Sequence, residues 1–258
     1  MRLEKGKQMF IRGALTIICI LFIGISICQL SVINRNYNKE KKTHQELLSY
    51  KPERNTLPEE TPAEDLKVMN PEIIKLQEMN PDAIGWLTVP DTQMDYPFVK
   101  AEGYDQYLRT DFFGKESVAG TLFLDYRFAA DLSGGQSIIF GHSMKNGSMF
   151  GGLKQYRNRS FYEKHQTAWV YLPYETIELS LVACVETKAD DSVIYGVWDT
   201  EEKREAFWRE VRNRSLHGSE TVPEDLDKGS RFILLSTCSY ESETSRLVVI
   251  FRVCEERQ

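Results

Sequence analysis

Charge is absent from one stretch of this chain: from Gly13 to Asn34 (GALTIICILFIGISICQLSVIN) there is no Asp, Glu, Lys or Arg. These 22 uncharged residues are enough to cross a bilayer as a helix, which takes about 20. The run is longer than the roughly 7–15-residue core of a cleaved signal peptide, and no A-x-A-like cleavage site follows it. A lipoprotein site is also missing, because Ile27 rather than a small residue precedes Cys28. These absences favour an uncleaved anchor over residues 13–34, after a stub over residues 1–12. Flanking charge barely orients it: Arg2, Lys5, Lys7 and Arg12 lie before the span, and Arg35, Lys39, Lys41 and Lys42 after it. The short stub and long body make N-terminus inside and body outside the simpler topology.

Basic charge is scarce in the rest. Residues 1–42 hold eight Lys or Arg and two Asp or Glu, formally +6, which leaves 24 basic and 36 acidic residues, formally −12, for the remainder. A body that acidic has no electrostatic footprint for nucleic acid and excludes that class of partner. Cysteine is scarce too. Of five cysteines, Cys19 and Cys28 lie in the apolar span, leaving Cys184, Cys238 and Cys254. An odd number in an exported domain leaves at least one thiol free or paired between chains, and a body of this size needs no disulfide framework. Repeats and low-complexity tracts are absent.

What remains reads as a stalk and linker over residues 35–67 and a folded domain over 68–258. The segment NYNKEKKTHQELLSY is polar and helix-compatible, and KPERNTLPEETP is proline-rich. AEDLKVMNPEIIKLQEMNPD predicts one or two short helices with a break or restart at Pro71. Beyond Gly85 the chain breaks into short strand-like runs: GWLTVP, YPFV, GTLFLDY, QSIIFGH, AWVYL, IELSLVACVE, RFILLS and RLVVIFRV. This pattern predicts a mainly β barrel or sandwich. One helix interrupts it, EEKREAFWREVRNRSLHG, with Phe207, Trp208 and Val211 as its apolar stripe, Asp199 or Thr200 as its cap and Gly218 near its end.

Histidine is rarer still, with four in the chain. His44 lies in the stalk, His217 at a helix end and His165 before a strand, all ordinary structural settings. His142 differs, because it follows the apolar run QSIIFG at a strand exit and precedes the loop SMKNGSMFGG. Cys238 and Arg246 are similarly placed, at the end of one apolar run and the start of the next. A cation near a thiol lowers its pKa from about 8.5 and favours the nucleophilic thiolate. Histidine can shuttle protons, and arginine can hold an oxyanion. Each residue alone also has an ordinary explanation: a cysteine in apolar context is commonly a small buried hydrophobe, as Cys184 and Cys254 are read here.

The strings NPDAIGWLTVPDTQMDYPFV, GTLFLDYR, IIFGHSMKNGSMFGGLKQY and LSTCSYESETSR, in this order along the chain, resemble class B sortases, membrane-anchored cysteine transpeptidases of Gram-positive bacteria. The resemblance covers roughly residues 68–254. It implies an eight-stranded sortase-type β-barrel with N-terminal helices and a helix between strands six and seven. It implies Cys238 as nucleophile, His142 as general acid and base, and Arg246 as stabiliser of the oxyanion and substrate. Ser236 and Thr237 would support them; Tyr240 and the span Asp190–Gly229 would bind substrate. Leu234 departs from the motif, where a threonine is usual, and is expected to affect packing more than chemistry.

The substrates implied are surface proteins with a C-terminal sorting signal, and the acceptor is an amine on peptidoglycan or its lipid-linked precursor. No metal or organic cofactor is required. Three alternatives stay open: a cysteine endopeptidase that releases its product to water, a pilin-polymerising sortase, and a membrane-tethered binding module in which Cys238 is merely buried. A papain-like enzyme would need a C-G-x-C-W context, which the chain lacks.

Overall fold

The computed structural model describes residues 2–53, 70–219, 222, 229–238 and 245–254. They form two compact units, residues 1–45 and 46–258. The first is the body of helix α1 (Arg2–Leu48), so the apolar run and the polar stalk share one continuous helix. Its segment from Leu15 onward is long and apolar enough to cross a membrane, with an 18-residue window of mean hydropathy 2.5. The large side chains there, among them Leu21, Phe22 and Ile23, are exposed.

The second unit is a closed barrel. Its strands are β1 (Ala83–Thr88), β2 (Asp95–Lys100), β3 (Leu122–Leu124), β4 (Gln136–His142), β5 (Thr167–Leu172), β6 (Glu175–Thr187), β7 (Phe232–Cys238) and β8 (Arg246–Val253). Around the barrel they run in the order β1-β2-β3-β4-β7-β8-β6-β5. Only β2 with β3 and β4 with β7 pair in parallel; the other neighbours are antiparallel. The mainly β class, the eight-stranded barrel and the helix between strands six and seven are as expected from the sequence.

Among the described residues, three α-helices and a 3-10 helix (Phe150–Arg157) complete the unit. Helix α2 (Pro71–Met79) starts at Pro71, so that proline opens the helix, where its missing N–H costs nothing. Helix α3 (Arg159–Lys164) is capped by Asn158, which accepts from the Phe161 N–H. Helix α4 (Glu201–Arg214) buries Phe207, Trp208 and Val211. Its cap is Thr200, which accepts from Lys203 N, while Asp199 forms an ion pair with Lys203 at 2.7 Å. It stops at Arg214, short of Gly218, because Ser215 is drawn into a β-bridge with Val185.

The hydrophobic core covers both faces of the barrel wall and includes Trp86, Phe98, Leu122, Ile138, Phe150, Leu234, Leu235, Val249 and Ile250, neighbouring strand residues pointing to opposite faces. Leu234 is fully buried and lies in register with Ile138 and Ile250, so the motif departure is a packing position.

Candidate active site

Strand direction sorts the ends of the barrel. The C-terminal ends of β4 and β7 and the N-terminal end of β8 share one end. In the parallel β4–β7 pair the register runs from Gln136 opposite Phe232 to His142 opposite Cys238. In the antiparallel β7–β8 pair it runs from Phe232 opposite Arg252 to Ser236 opposite Val248; two further steps in that register set Arg246 opposite Cys238. Arg246 is also paired with Thr187 at the end of β6. Thus the backbone positions of His142, Cys238 and Arg246 lie side by side at the ends of three successive strands.

Local contacts explain the residues around this row. A Cβ on Gly141 would collide with the Leu122 side chain and come within 2.8 Å of the Phe150 ring, so the residue before His142 must be glycine. Thr237 is buried, and its Oγ1 accepts from Leu247 N at 3.1 Å, which ties the end of β7 to β8. Ser236 is fully buried and its Oγ shares a 2.9 Å hydrogen bond with the Tyr195 hydroxyl. Tyr240 and the rest of the 239–244 link lie outside the described residues.

His142 is half-buried. Burial first, and the Arg109 guanidinium second, push its imidazole below the ordinary histidine value, partly opposed by a hydrogen bond to the backbone of Leu108. The neutral form is therefore favoured. Leu108 and Arg109 belong to the long segment between β2 and β3, which is pinned at several points. The Tyr107 hydroxyl donates to Asp82 Oδ2 at 2.6 Å, and Asn80 Nδ2 donates to the Phe112 carbonyl at 3.0 Å. Burial and the Asp82 partner push the Tyr107 hydroxyl up to about 12, so it remains a donor.

A second segment, between β6 and β7, packs against the same strands. Its Tyr195 ring lies 6.0 Å from Phe140, and Tyr104, from the segment after β2, lies 5.8 Å from Phe140 on its own side. Gln136 holds the far part, donating to the Gly196 carbonyl at 3.1 Å and accepting from Trp198 N at 3.3 Å. Of the span Asp190–Gly229, residues 220–221 and 223–228 lie outside the described residues.

Sequence reasoning singled out that span without its working residues, and it missed Tyr104, Leu108, Arg109 and Phe140. Phe140 has a weak signal, as it shares the alternation of His142 two residues on. Leu108 and Arg109 have none, because only tertiary contact brings them to His142. Among the described residues, no group of three His, Cys, Asp or Glu side chains is placed to hold a metal ion. Cys184, within β6, is fully buried, and burial pushes its thiol up to about 12, which makes it inert.

No family model matches the chain. Individual proteins do. The sortase B of Listeria monocytogenes is 33% identical over 180 residues, covering 69% of this chain and 72% of that protein. A crystal structure of sortase B from Bacillus anthracis superposes with a TM-score of 0.72 at 26% identity, over 86% of this chain and 99% of that one. A Streptococcus pyogenes class B sortase involved in pilus biogenesis has a TM-score of 0.63 and 31% identity, over 70% and 97% of the respective chains. With the closed barrel, the inserted helix and this sequence identity, the chain belongs to the class B sortase family.

Proposed function

We propose that this protein is a membrane-anchored cysteine transpeptidase that joins surface proteins to a cell-wall amine, and that Cys238, His142 and Arg246 carry the reaction. The observation behind this reading is the parallel β4–β7 register, in which His142 and Cys238 are directly paired at the strand ends. Cys238 passes its proton to the neutral imidazole of His142 and its sulfur attacks the carbonyl carbon of the signal's last retained residue. Arg246 holds the resulting oxyanion with charged hydrogen bonds. The carbon–nitrogen bond breaks, and His142 returns the proton to the departing amine, leaving a thioester. An acceptor amine then attacks the thioester carbonyl, gives a proton to His142, and expels the Cys238 thiolate, which regains that proton.

Burial of His142 and the charge of Arg109 suit the base role, since a neutral imidazole can accept a proton at neutral pH. The sorting signal crosses the surface between Tyr104 on one side and Tyr195 on the other, with Phe140 buried between the two rings. The apolar part of α1 anchors the enzyme, with the barrel outside.

A second reading concerns the acceptor alone. The Streptococcus pyogenes enzyme involved in pilus biogenesis makes an amine of another protein subunit the alternative to a peptidoglycan amine. The test is to incubate the full chain in detergent micelles with a signal peptide and each class of amine, and to follow products by mass spectrometry. A ligated peptide and a Cys238 thioester are expected, and the preferred amine separates the two acceptors. Release to water alone would make the protein an endopeptidase, and no reaction with any peptide would sink the reading.

A further inference from the structure

The segment between β6 and β7 leaves the barrel beside the candidate site, runs towards the opposite end, and returns along α4. Its two arms meet again at Asp191. One carboxylate oxygen of Asp191 accepts from the backbone N–H groups of Val193 and Ile194, each at 3.0 Å. The other accepts from Thr187 Oγ1 at 2.6 Å and forms an ion pair with Arg214 from the last turn of α4. Arg214 also donates to Thr187 Oγ1 at 3.3 Å and pairs with Glu210 at 2.8 Å. One side chain, 9% exposed, therefore gathers the end of β6, the first turn of the outgoing arm and the end of the returning helix.

What this gathering places is specific. The carbonyl of Asp191 accepts from Tyr195 N at 3.0 Å, the next residue after the fully buried Ile194. Tyr195 then reaches Ser236, two residues before Cys238. Thr187, the Asp191 partner on β6, is the residue in register with Arg246. A loop held only at its far end by Gln136 would leave Tyr195 free to swing, because a side chain at a loop tip is positioned no better than the base that carries it.

We infer that Asp191 is a positioning residue for sorting-signal recognition: clamped to Arg214 and Thr187, it fixes the Tyr195 wall against Ser236. It touches no reacting atom. This rests on the reading that the signal crosses the surface between Tyr104 and Tyr195. Burial pushes the Asp191 carboxyl up, but hydrogen bonds from Thr187, Ile194, Arg214 and Val193 outweigh it and hold it at about 2, so the clamp stays charged throughout the neutral range.

The test uses the full chain in detergent micelles with a signal peptide and a saturating amine. Asp191→Asn keeps the shape and one acceptor oxygen for the Val193 and Ile194 N–H groups, but loses the ion pair with Arg214 and the acceptor for Thr187 Oγ1. It is expected to raise KM for the peptide about tenfold with kcat changed less than about threefold, because a Tyr195 wall that is no longer fixed is binding-competent only part of the time. Thr187→Val, which keeps the ion pair, is expected to raise KM less. Near-ultraviolet circular dichroism checks that both variants fold, and alkylation of Cys238 by iodoacetamide, which needs no peptide recognition, is expected to proceed at the unaltered rate. An active unaltered enzyme with unchanged KM in both variants would overturn the clamp while leaving the transpeptidase reading intact. Equal loss of kcat and of alkylation rate would make Asp191 a general structural support and overturn it too. An unaltered enzyme that turned over no peptide would overturn the transpeptidase reading, and the role of the clamp with it.

Discussion

The two ends of the barrel share one set of strands and differ in what closes them. At the end bearing Ala83, Leu172 and Glu175, closure is by backbone. Asn70 is buried, and its Nδ2 donates to the Leu172 carbonyl at 2.6 Å and the Glu175 carbonyl at 3.3 Å. Its N–H donates to the Pro173 carbonyl at 2.8 Å. Beside it lies a mostly apolar cleft of about 270 Å³, lined in part by Ile84, Ala130, Leu172 and Pro173. At the other end the strands stop on His142, Cys238 and Arg246, and the segments between β2 and β3 and between β6 and β7 pack beside His142 and Ser236. One end therefore uses its polar groups to satisfy strand ends, whereas the other sets residues of titratable type in a row. Strand ends are a natural place for chemistry, because rigid backbone meets variable loops there.

This contrast predicts that substitutions at the two ends separate activity from stability. The largest effect is expected for Cys238→Ala, which removes the thioester and should lower turnover by about 10⁴-fold or more. Cys184→Ala, inside the barrel wall, should instead cost about 1 kcal/mol of stability through a small cavity with turnover retained. Product analysis by mass spectrometry and thermal unfolding check the pair; retained turnover in Cys238→Ala would break the comparison outright.

Arg246→Lys comes next. A point charge cannot reproduce the planar fork of arginine, and the loss of an oxyanion donor should lower kcat about 10²-fold, measured at saturating peptide. Wild-type kcat in that variant would remove the oxyanion role.

Asn70→Ala probes the other end. It leaves two strand-end carbonyls without their donor and should destabilise the fold by about 2 kcal/mol, with kcat and KM unchanged. Denaturant unfolding measures the first and peptide kinetics the second; a loss of kcat in a folded variant would show that the ends are not separable.

The smallest effect is in the pH profile. His142 titrates below the ordinary histidine value, so the acid limb of kcat/KM should lie below that value in the unaltered enzyme. The positive charge of Arg109 disfavours the imidazolium, and Arg109→Gln should move the limb to higher pH, while burial, the larger cause, remains. A limb that stays put would mean that Arg109 does not act on His142.

Much of this fold was legible in the chain. The run RLVVIFRV is β8 residue for residue, and QSIIFGH is β4, because short apolar runs bounded by turn residues have little alternative. GTLFLDY was read as a full strand but yields only Leu122–Leu124. Asp125 instead turns away to accept from the Arg127 side chain and from Tyr104 at 3.0 Å. The helix α4 was read three to four residues too long, since nothing local announces that Ser215 will bridge to Val185. Ser236 and Thr237 were named as supporting residues, and each has a definite partner: the Tyr195 hydroxyl and Leu247 N.

The sequence by itself determined the apolar N-terminal helix, the mainly β character, and the kinds of reactive group standing at strand ends. These follow from local composition, since length and periodicity act within a few residues. The tertiary structure alone decided that β4 and β7 are parallel neighbours with His142 opposite Cys238, that Arg109 lies by the imidazole, and that Asp191 gathers Thr187 and Arg214. Each joins segments far apart in the chain, and periodicity carries no information on which distant strands pair. That choice is made when the barrel closes, by the register that buries every apolar face at once.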